Sequence, residues 1–200
     1  LAGMDIAREL SEMGCGLLAA GEMGIGNTTT SSAVAAALLG RPATEMTGKG
    51  AGLTNEGLRK KIAVIDGAIA LHRPDPADPI DVLSKVGGFD IAAMIGFYLG
   101  CARCRVPVVM DGFISTVAAL AAARLCPAAR DALIPSHLSA EPGAGPVMEA
   151  LGFTPLLKLG MALGEGTGAV SAMPLIDMAL RVYFDMPSFD GIGIEAYQPL

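Results

Sequence analysis

The sequence is poor in aromatic residues and in charge. Of its 200 residues only 4% are aromatic, none is tryptophan and 17% are charged, whereas 52% are hydrophobic. This composition excludes intrinsic disorder, because such a chain has enough apolar surface to build a core. Few aromatics beside abundant alanine and glycine favour helices packed closely on a sheet, and the length suits one domain with a small appendage.

Positive charge is scarce as well. The chain has 14 Lys and Arg against 20 Asp and Glu, which gives a net charge of -6. Nucleic acid is therefore excluded as a partner, because its binding requires a basic surface. A single phosphate group stays possible, since glycine-rich turns and helix N-termini bind anions through backbone amides.

Long hydrophobic runs are missing. A membrane-spanning helix needs about 20 mostly apolar residues. The apolar run 91–102 is too short, and the uncharged run 23–40 contains Asn27 and five consecutive Thr and Ser residues. We expect both to be buried helices and predict no membrane partner. The first ten residues carry charges and no signal-peptide core, which predicts a cytoplasmic location.

Cysteine and histidine are too few and too scattered for a metal centre. Cys101 and Cys104 form one CxxC pair, but a zinc ribbon needs a second pair or histidines at ligand spacing. Neither His72 nor His137 supplies that spacing. We expect reduced, buried thiols, no metal and no cofactor.

Short apolar runs alternate with longer helical segments along the chain. This order predicts an α/β fold, a Rossmann-like three-layer arrangement in which a parallel sheet has helices on both faces. The predicted strands are residues 16–20, 106–110, 132–134 and 156–159, and the predicted helices are 28–39, 54–72, a short one between 78 and 87, 89–103, 115–125, 145–151 and a last one that runs through Pro174 to Tyr183.

Polar, glycine-rich motifs follow three of the predicted strands. They read GEMGIGN from Gly21, MDG from Met110 and GEGTG from Gly164. Ligands of parallel α/β sheets bind beyond the carboxyl ends of the strands. The sequence therefore predicts that the three motifs form one shared site.

The first motif is similar to two nucleotide-binding signatures but matches neither. Gly21 and Gly26 have the spacing of a phosphate loop, yet Asn27 replaces its lysine, which disfavours triphosphate chemistry. Thr29 stands where the dinucleotide signature has its third glycine, which disfavours a dehydrogenase. A turn of exposed amides before a helix remains, and it suits one phosphate. The alternative is a tight turn that binds nothing.

Two glutamates, Glu22 and Glu165, lie inside glycine turns at strand ends. A carboxylate in such a turn costs stability unless it is used or paired. We predict that both are catalytic. The alternative is that each complements the positive end of a helix dipole.

Asp111 and Lys61 are further candidates. Asp111 follows an apolar strand and precedes Gly112, so it is a candidate for binding a ribose hydroxyl or a ring NH, or else for capping a turn. Lys61 is a candidate counter-charge for phosphate, and the alternative is an ordinary solvated helix lysine.

Five stretches of the sequence together resemble one enzyme family. They read GEMGIGNTTTSS, IDVLSKVGGFDIAAM, VPVVMDGFIS, LIPSHLSAEPGA and LGEGTGAVSAMPL, and extend in order from about residue 14 to residue 183. The family is the nicotinate-nucleotide–dimethylbenzimidazole phosphoribosyltransferases of cobalamin lower-ligand assembly. The resemblance implies transfer of 5-phosphoribose from nicotinate mononucleotide to 5,6-dimethylbenzimidazole, in a homodimer whose subunits have an α/β domain and a small helical domain.

The resemblance also implies roles for individual residues. Glu165 would be the general base that takes the benzimidazole NH proton, and Glu22 would orient the base or the ribose. The remaining substrate-binding residues are Gly24, Ile25, Gly26, Asn27, Gly50, Lys61, Asp111, Leu163 and Gly164.

The family pattern includes an N-terminal portion that precedes the stretch matched here. We therefore expect residues 1–185 to be the nucleotide-binding α/β domain and residues 186–200 a tail that belongs to an incomplete small helical domain. Three alternatives remain open for the chain. It is a fragment of a full enzyme, one subunit of a split transferase acting on another lower-ligand base, or a nucleotide-binding module without activity.

Overall fold

The computed structural model describes residues 1–188, 190–193, 195 and 198. Two short 3-10 helices, Pro127–Ala132 and Asp190–Ile192, accompany the main elements. The strands are β1 (Leu18–Ala20), β2 (Val108–Met110) and β3 (Leu133–Pro135), and the helices are α1 (Ala2–Glu12), α2 (Asn27–Leu39), α3 (Ala43–Met46), α4 (Asn55–His72), α5 (Pro79–Val86), α6 (Phe89–Cys104), α7 (Phe113–Leu125), α8 (Ala144–Leu151) and α9 (Thr167–Asp185).

The three described strands form one parallel sheet in the order β1-β2-β3. Val109 of the central strand is in register with Ala19 on one side and Ile134 on the other. Since every connection between these strands contains helices, the arrangement confirms the α/β prediction.

Alternate residues of the strands face two different helix layers. Leu18, Val108 and Leu133 belong to the main core with α2, α6 and α7. Val109 belongs to a smaller cluster in which Ala172 of α9 packs on the opposite face. The sheet is therefore the middle of three layers, as predicted, and α9 covers one face by itself among the described helices.

The predicted strand 156–159 is not a strand. Leu157 makes a single parallel bridge to His137, beyond the end of β3. Leu156 and Leu159 stay exposed, and of these leucines only Leu157 packs against the cluster around Val109. The apolar residues of this segment predicted a strand, but only Leu157 forms a bridge.

Helix α1 was not predicted from the sequence, although it is one of the best-packed elements. Its Ala7 is fully buried, and a Cβ added to Gly100 of α6 would come within 2.7 Å of the Ala7 side chain. The two helices therefore lie almost in backbone contact. None of the described helices combines the length and the apolar composition that crossing a membrane requires.

Two predicted helix starts are confirmed by their caps. The Thr54 hydroxyl accepts a hydrogen bond from the amide of Gly57 (3.1 Å) at the start of α4. The Asp78 carboxylate accepts from the amide of Ile80 (2.9 Å) at the start of α5. Each satisfies an N–H that has no partner inside its helix.

The C-terminal end of the described chain follows helix α9, which continues through Pro174 as predicted and ends at Asp185, two residues beyond the predicted end at Tyr183. Within the predicted tail 186–200, positions 189, 194, 196, 197, 199 and 200 lie outside the described residues. The assignment of this tail to a small helical domain stays a prediction, and so does the boundary at residue 185.

Candidate active site

A cleft of about 190 Å³ lies at the carboxyl ends of the three strands. The loops that follow β1, β2 and β3 all contribute to it, together with the loop before α4 and the loop before α9. Its lining residues are Glu22, Gly24, Thr28, Gly50, Ala51, Gly112, Phe113, Ile114, His137, Ser139, Glu141, Ala162, Leu163 and Gly164. The predicted substrate residues Gly24, Gly50, Leu163 and Gly164 are therefore brought together.

The two glutamate turns lie directly against each other. The amide of Glu165 donates a 2.9 Å hydrogen bond to the carbonyl of Glu22. A Cβ added to Gly21 would come within 2.3 Å of the backbone nitrogen of Gly166, so Gly21 has no room for a side chain. This contact puts both predicted catalytic residues at one end of the cleft.

Asp111 anchors the N-terminus of α9. Its carboxylate is buried and accepts hydrogen bonds from the amides of Gly166 (2.9 Å), Gly168 (2.7 Å) and Ala169 (3.3 Å). A carboxylate suits this position because a helix N-terminus presents unpaired N–H groups and positive potential. These contacts favour the capping role over substrate binding, so the carboxylate acts on the site by positioning the loop.

Glu22 is half-buried and lines the cleft. Burial raises the pKa of its carboxyl group, as do the negative charges of Asp111, Asp90 and Glu165, whereas the hydrogen bond from Asn27 lowers it. A carboxylate with a raised pKa is a better proton acceptor than an ordinary glutamate. The geometry thus supports an acid–base function for Glu22.

Glu165 occupies an unusual backbone conformation. Its φ is +57°, between Gly164 at +79° and Gly166 at +78°. A non-glycine residue in this left-handed region costs free energy and is found preferentially at functional sites. The Glu165 side chain is exposed beside the cleft, whose lining includes its neighbours Leu163 and Gly164.

Lys61 is buried, which contradicts the alternative of a solvated lysine. Only 7% of the residue is exposed. Its ammonium donates to the Thr28 hydroxyl (3.0 Å) and to the Gly48 carbonyl (3.1 Å), so two of its three protons have acceptors among the described residues. Burial lowers the pKa of the ammonium, and the negative charge of Glu141 opposes this shift. Lys61 therefore places a positive charge next to the lining residue Thr28.

Gly50 lies beside Lys61. Its φ is +54°, and an added Cβ would come within 2.9 Å of the Thr28 hydroxyl and 3.7 Å of the Lys61 ammonium. The Gly50 amide donates to a carboxylate oxygen of Glu141 (3.2 Å). The amide of this predicted substrate-binding residue thus already binds a negatively charged oxygen atom.

The turn after β1 contributes fewer amides than predicted. The amide of Ile25 donates to the Met23 carbonyl (2.7 Å), and the Ile25 side chain is exposed. Gly26 has a φ of +81° and begins α2. Asn27 directs its side-chain NH₂ to Glu22 at 2.6 Å. The Ile25 amide and the Asn27 side chain therefore stabilise the turn itself. A direct role of either residue in binding substrate stays a prediction.

His137 is a buried lining residue that the sequence interpretation missed. Its Nδ1 is 3.2 Å from the Ser136 hydroxyl, which donates to the Asp111 carbonyl (3.0 Å). The ring fills the space above Gly112 and Gly168, since a Cβ on Gly168 would overlap it at 2.0 Å. Burial lowers the pKa of the imidazole, whereas the charge of Asp111 raises it.

Ser139 and Glu141 also line the cleft and were missed. They belong to the stretch SHLSAEPG, which follows the third predicted strand and could have been read as a fourth polar motif at a strand end. Within the described part of the chain, no group of three or more His, Cys, Asp or Glu side chains is arranged to hold a metal ion.

Comparison with known proteins shows which family the chain belongs to. A family model described as phosphoribosyltransferase matches residues 1–194. The chain belongs to this phosphoribosyltransferase family. The resemblance carried by the five sequence stretches is therefore confirmed.

The relatives of this phosphoribosyltransferase chain include two clostridial proteins. The nicotinate-nucleotide–dimethylbenzimidazole phosphoribosyltransferase of Acetivibrio thermocellus is 55% identical over 197 residues, which are 98% of this chain and 56% of the relative. The protein of the same name from Clostridium acetobutylicum is 52% identical over 198 residues, 99% of this chain and 56% of the relative. The chain thus spans about half the length of these relatives.

A solved structure shares the fold. The crystal structure of CobT from Thermus thermophilus superposes with a TM-score of 0.91 at 45% sequence identity, over 98% of this chain and 58% of that chain. The three-layer arrangement described above is therefore that of a solved phosphoribosyltransferase.

The anchor formed by Asp111 in this phosphoribosyltransferase can be tested by Asp111→Asn. An amide in place of the carboxylate turns one acceptor into a donor that faces backbone N–H groups, so we expect the free energy of unfolding to fall by about 1.5–3 kcal/mol. Urea denaturation measures this change, and hydrogen exchange should accelerate at the amides of Gly166, Gly168 and Ala169.

The matched control is Asp66→Asn, on the exposed surface of α4. It makes the same chemical change where no helix start depends on it, so its denaturation midpoint should equal that of the unsubstituted chain. Equal midpoints for both variants would contradict the anchoring role of Asp111.

Proposed function

We propose that this chain carries the donor site and the catalytic carboxylates of an enzyme that moves 5-phosphoribose from nicotinate mononucleotide to 5,6-dimethylbenzimidazole. The products would be α-ribazole 5′-phosphate and nicotinate. Two relatives that are 55% and 52% identical to the chain bear the name of this activity. The observation that carries the proposal is a single cleft with an acidic end at Glu22 and a cationic end beside Lys61.

The cationic end suits the phosphate of the donor. The Lys61 ammonium donates to the Thr28 hydroxyl (3.0 Å), and Gly50 lies beside both, since a Cβ added to it would be 2.9 Å from that hydroxyl and 3.7 Å from the ammonium. Phosphate oxygens accept from such donors as the Glu141 carboxylate does from Gly50. We infer that the donor phosphate binds here and replaces the Glu141 contact on the Gly50 amide.

The acidic end suits the nitrogen base. In the proposed reaction one ring nitrogen of the benzimidazole attacks the anomeric carbon of the ribose, and the C–N bond to the nicotinate ring breaks on the opposite side. The bonding electrons return to the ring nitrogen, so the positively charged pyridinium leaves as a neutral pyridine nitrogen. Inversion of the anomeric carbon gives the α bond.

The proton on the other benzimidazole nitrogen needs an acceptor in this step. We propose that Glu165 is the general base and that Glu22, whose carbonyl binds the Glu165 amide, orients the base or the ribose. The open cleft side of Glu165 leaves room for a flat ring, because glycines flank this residue on both sides. The raised pKa of Glu22 suits it to share that proton.

The first test measures nicotinate release. Chromatography should detect nicotinate when the intact enzyme that contains this chain is supplied with nicotinate mononucleotide and dimethylbenzimidazole. Glu165→Gln removes the proton acceptor but keeps the shape, so kcat should fall by about 100-fold, with the Kd for the donor unchanged in calorimetry.

Two outcomes would contradict this proposal. Without nicotinate release from the intact enzyme the reaction is wrong, and donor binding in the same sample would then identify a nucleotide-binding module. Release at the normal rate by the Glu165→Gln variant would remove Glu165 from the role of general base.

The second test concerns the phosphate and compares two adjacent lysines. Lys61→Met keeps most of the buried volume but removes the charge, so the Kd for nicotinate mononucleotide should rise by about 10- to 100-fold, the range of a charged hydrogen bond. Lys60→Met removes a charge from the exposed neighbour and should change the Kd by less than about twofold.

A ligand without phosphate completes this test. Calorimetry with nicotinate riboside should show the same affinity for the Lys61→Met variant as for the unsubstituted chain. Equal weakening of riboside and nucleotide would mean that Lys61 supports the shape of the site and does not bind phosphate.

We also propose that the enzyme works as a homodimer, and we keep a cytoplasmic location as a prediction. Three residues of α9 and the residue directly after it recur at steps of four or eight and are all more than half exposed: Val170, Met178, Val182 and Met186. Monomers rarely leave such an apolar row in water. The row is therefore a candidate for the surface between subunits.

Sedimentation equilibrium at micromolar concentration should detect a dimer. Val182→Lys places a charge in the apolar row and should shift the chain to monomer, whereas Leu71→Lys on α4, where the side chain is also exposed, should not. A monomer for the unsubstituted chain would contradict the proposal.

A further inference from the structure

One buried amide connects the site to a helix that was not predicted to take part in it. The Asn27 side chain donates to a carboxylate oxygen of Glu22 (2.6 Å) and to a carboxylate oxygen of Asp90 (2.9 Å). The Met23 carbonyl lies 3.2 Å from the same nitrogen. Asn27 is 8% exposed, whereas Glu22 is half-buried and Asp90 is exposed, so water reaches the two carboxylates but hardly reaches the amide. The amide therefore bridges two carboxylates that come from different parts of the chain.

The contacts determine how the Asn27 amide is oriented. An NH₂ group has two protons and no acceptor function, so it can face two carboxylates, whereas the amide oxygen cannot. The opposite edge, Oδ1, is buried and has no hydrogen-bond partner among the described residues. A flip of the amide would exchange these edges and set oxygen against oxygen. Both acceptors thus favour the same orientation.

Asp90 is held in place by the start of α6. It lies in the first turn of the helix, where the helix dipole favours negative charge. Gly88, just before the helix, leaves the room that it needs, because a Cβ there would come within 2.6 Å of Asp90 Oδ1. A carboxylate fixed in this way can hold the Asn27 amide in one orientation.

We propose that Asp90 is a positioning residue that acts through Asn27 to hold the carboxylate of Glu22 at the cleft. Without the second acceptor, the Asn27 amide could rotate toward Met23 or reverse its edges, and Glu22 would lose its only side-chain donor among the described residues. The expected effect of Asp90 on turnover rests on the proposed function. Its expected effect on the position and titration of the Glu22 carboxylate does not.

The charge of Asp90 adds a second consequence. The charged groups that face Glu22 are Asp90 at the start of α6, Asp111 after β2 and Glu165 before α9, and all three raise the pKa of the Glu22 carboxyl. Removal of one of these charges should lower that pKa. Glu22 is proposed to act in its deprotonated form beside the general base Glu165, so its contribution to activity is lost as pH falls through its pKa, and that loss should move to lower pH.

Two substitutions separate position from charge. Asp90→Asn keeps an oxygen that can accept from Asn27 but removes the charge, so the titration midpoint of Glu22 should fall by about one unit, the usual effect of a charge at this range. Asp90→Ala removes the acceptor as well, so kcat should fall by about tenfold or more beyond the loss in Asp90→Asn, because small misplacements of reacting groups are costly.

Carbon-13 NMR of the Glu22 carboxyl group measures the titration in the chain as it stands, and the acid limb of kcat/KM measures it in the intact enzyme. Asp66→Asn is the control, since it removes one exposed carboxylate of equal charge from α4. It should move neither the Glu22 midpoint nor the acid limb. The KM for the donor should stay unchanged in all three variants, because Asp90 makes no hydrogen bond to Lys61, Thr28 or Gly50 among the described residues.

An unchanged Glu22 midpoint in Asp90→Asn, or a kcat for Asp90→Ala that equals that of Asp66→Asn, would overturn the proposal. Failure of the proposed function has a different signature: no nicotinate release by the unsubstituted enzyme, while the NMR midpoint of Glu22 still responds to Asp90→Asn. Since Asp90→Asn preserves shape and hydrogen bond, its titration decides the question even when Asp90→Ala folds poorly.

Discussion

The cleft depends on backbone-to-backbone contact between the turn before α9 and the ends of β1 and β2. Gly21 and Gly166 lie too close for any side chain at Gly21. Asp111 collects three amides of this turn, and Glu22 accepts a fourth through its carbonyl. These contacts bind segments that are distant in sequence into one wall, and both glutamates are positioned by that wall.

Charge is divided between the two ends of the cleft, although the chain as a whole is acidic. Four carboxylates, those of Glu22, Asp90, Asp111 and Glu165, gather at the end where the pKa of Glu22 is raised. The buried ammonium of Lys61 lies at the other end, near Gly50 and the Glu141 carboxylate. Under the proposed function, an anionic donor that displaces Glu141 would be oriented with its phosphate toward Lys61 and its reacting carbon toward the four carboxylates. Net charge therefore says little about which ligand this cleft accepts.

The parts of the fold that could be predicted are those with local causes. The strand ending at Ala20, the helix starts at Thr54 and Asp78, and the helix through Pro174 follow from hydrophobic patterns and capping residues. The segment 156–159 has the apolar sequence of a strand, yet only one bridge forms. Pairing requires a partner strand as well as apolar residues. Helix α1 was missed although its sequence carries helical signals, with Arg8 paired to Asp5 and Glu12 at helical spacing; only its close packing on α6 required the tertiary structure.

The sequence by itself determined the chemistry of the site: two glutamates in glycine turns, a lysine, and three motifs at strand ends, all in a family pattern that the comparisons confirm. Only the tertiary structure decided which role each polar group has. In the structure Asp111 caps a helix, and Asn27 donates hydrogen bonds to two carboxylates. Lys61 is buried and His137 lines the cleft. The physical reason is that hydrogen-bond partners and desolvation are set by groups far apart in the sequence, such as Gly50 and Glu141 at a separation of 91 residues, and no local pattern records which of them will meet.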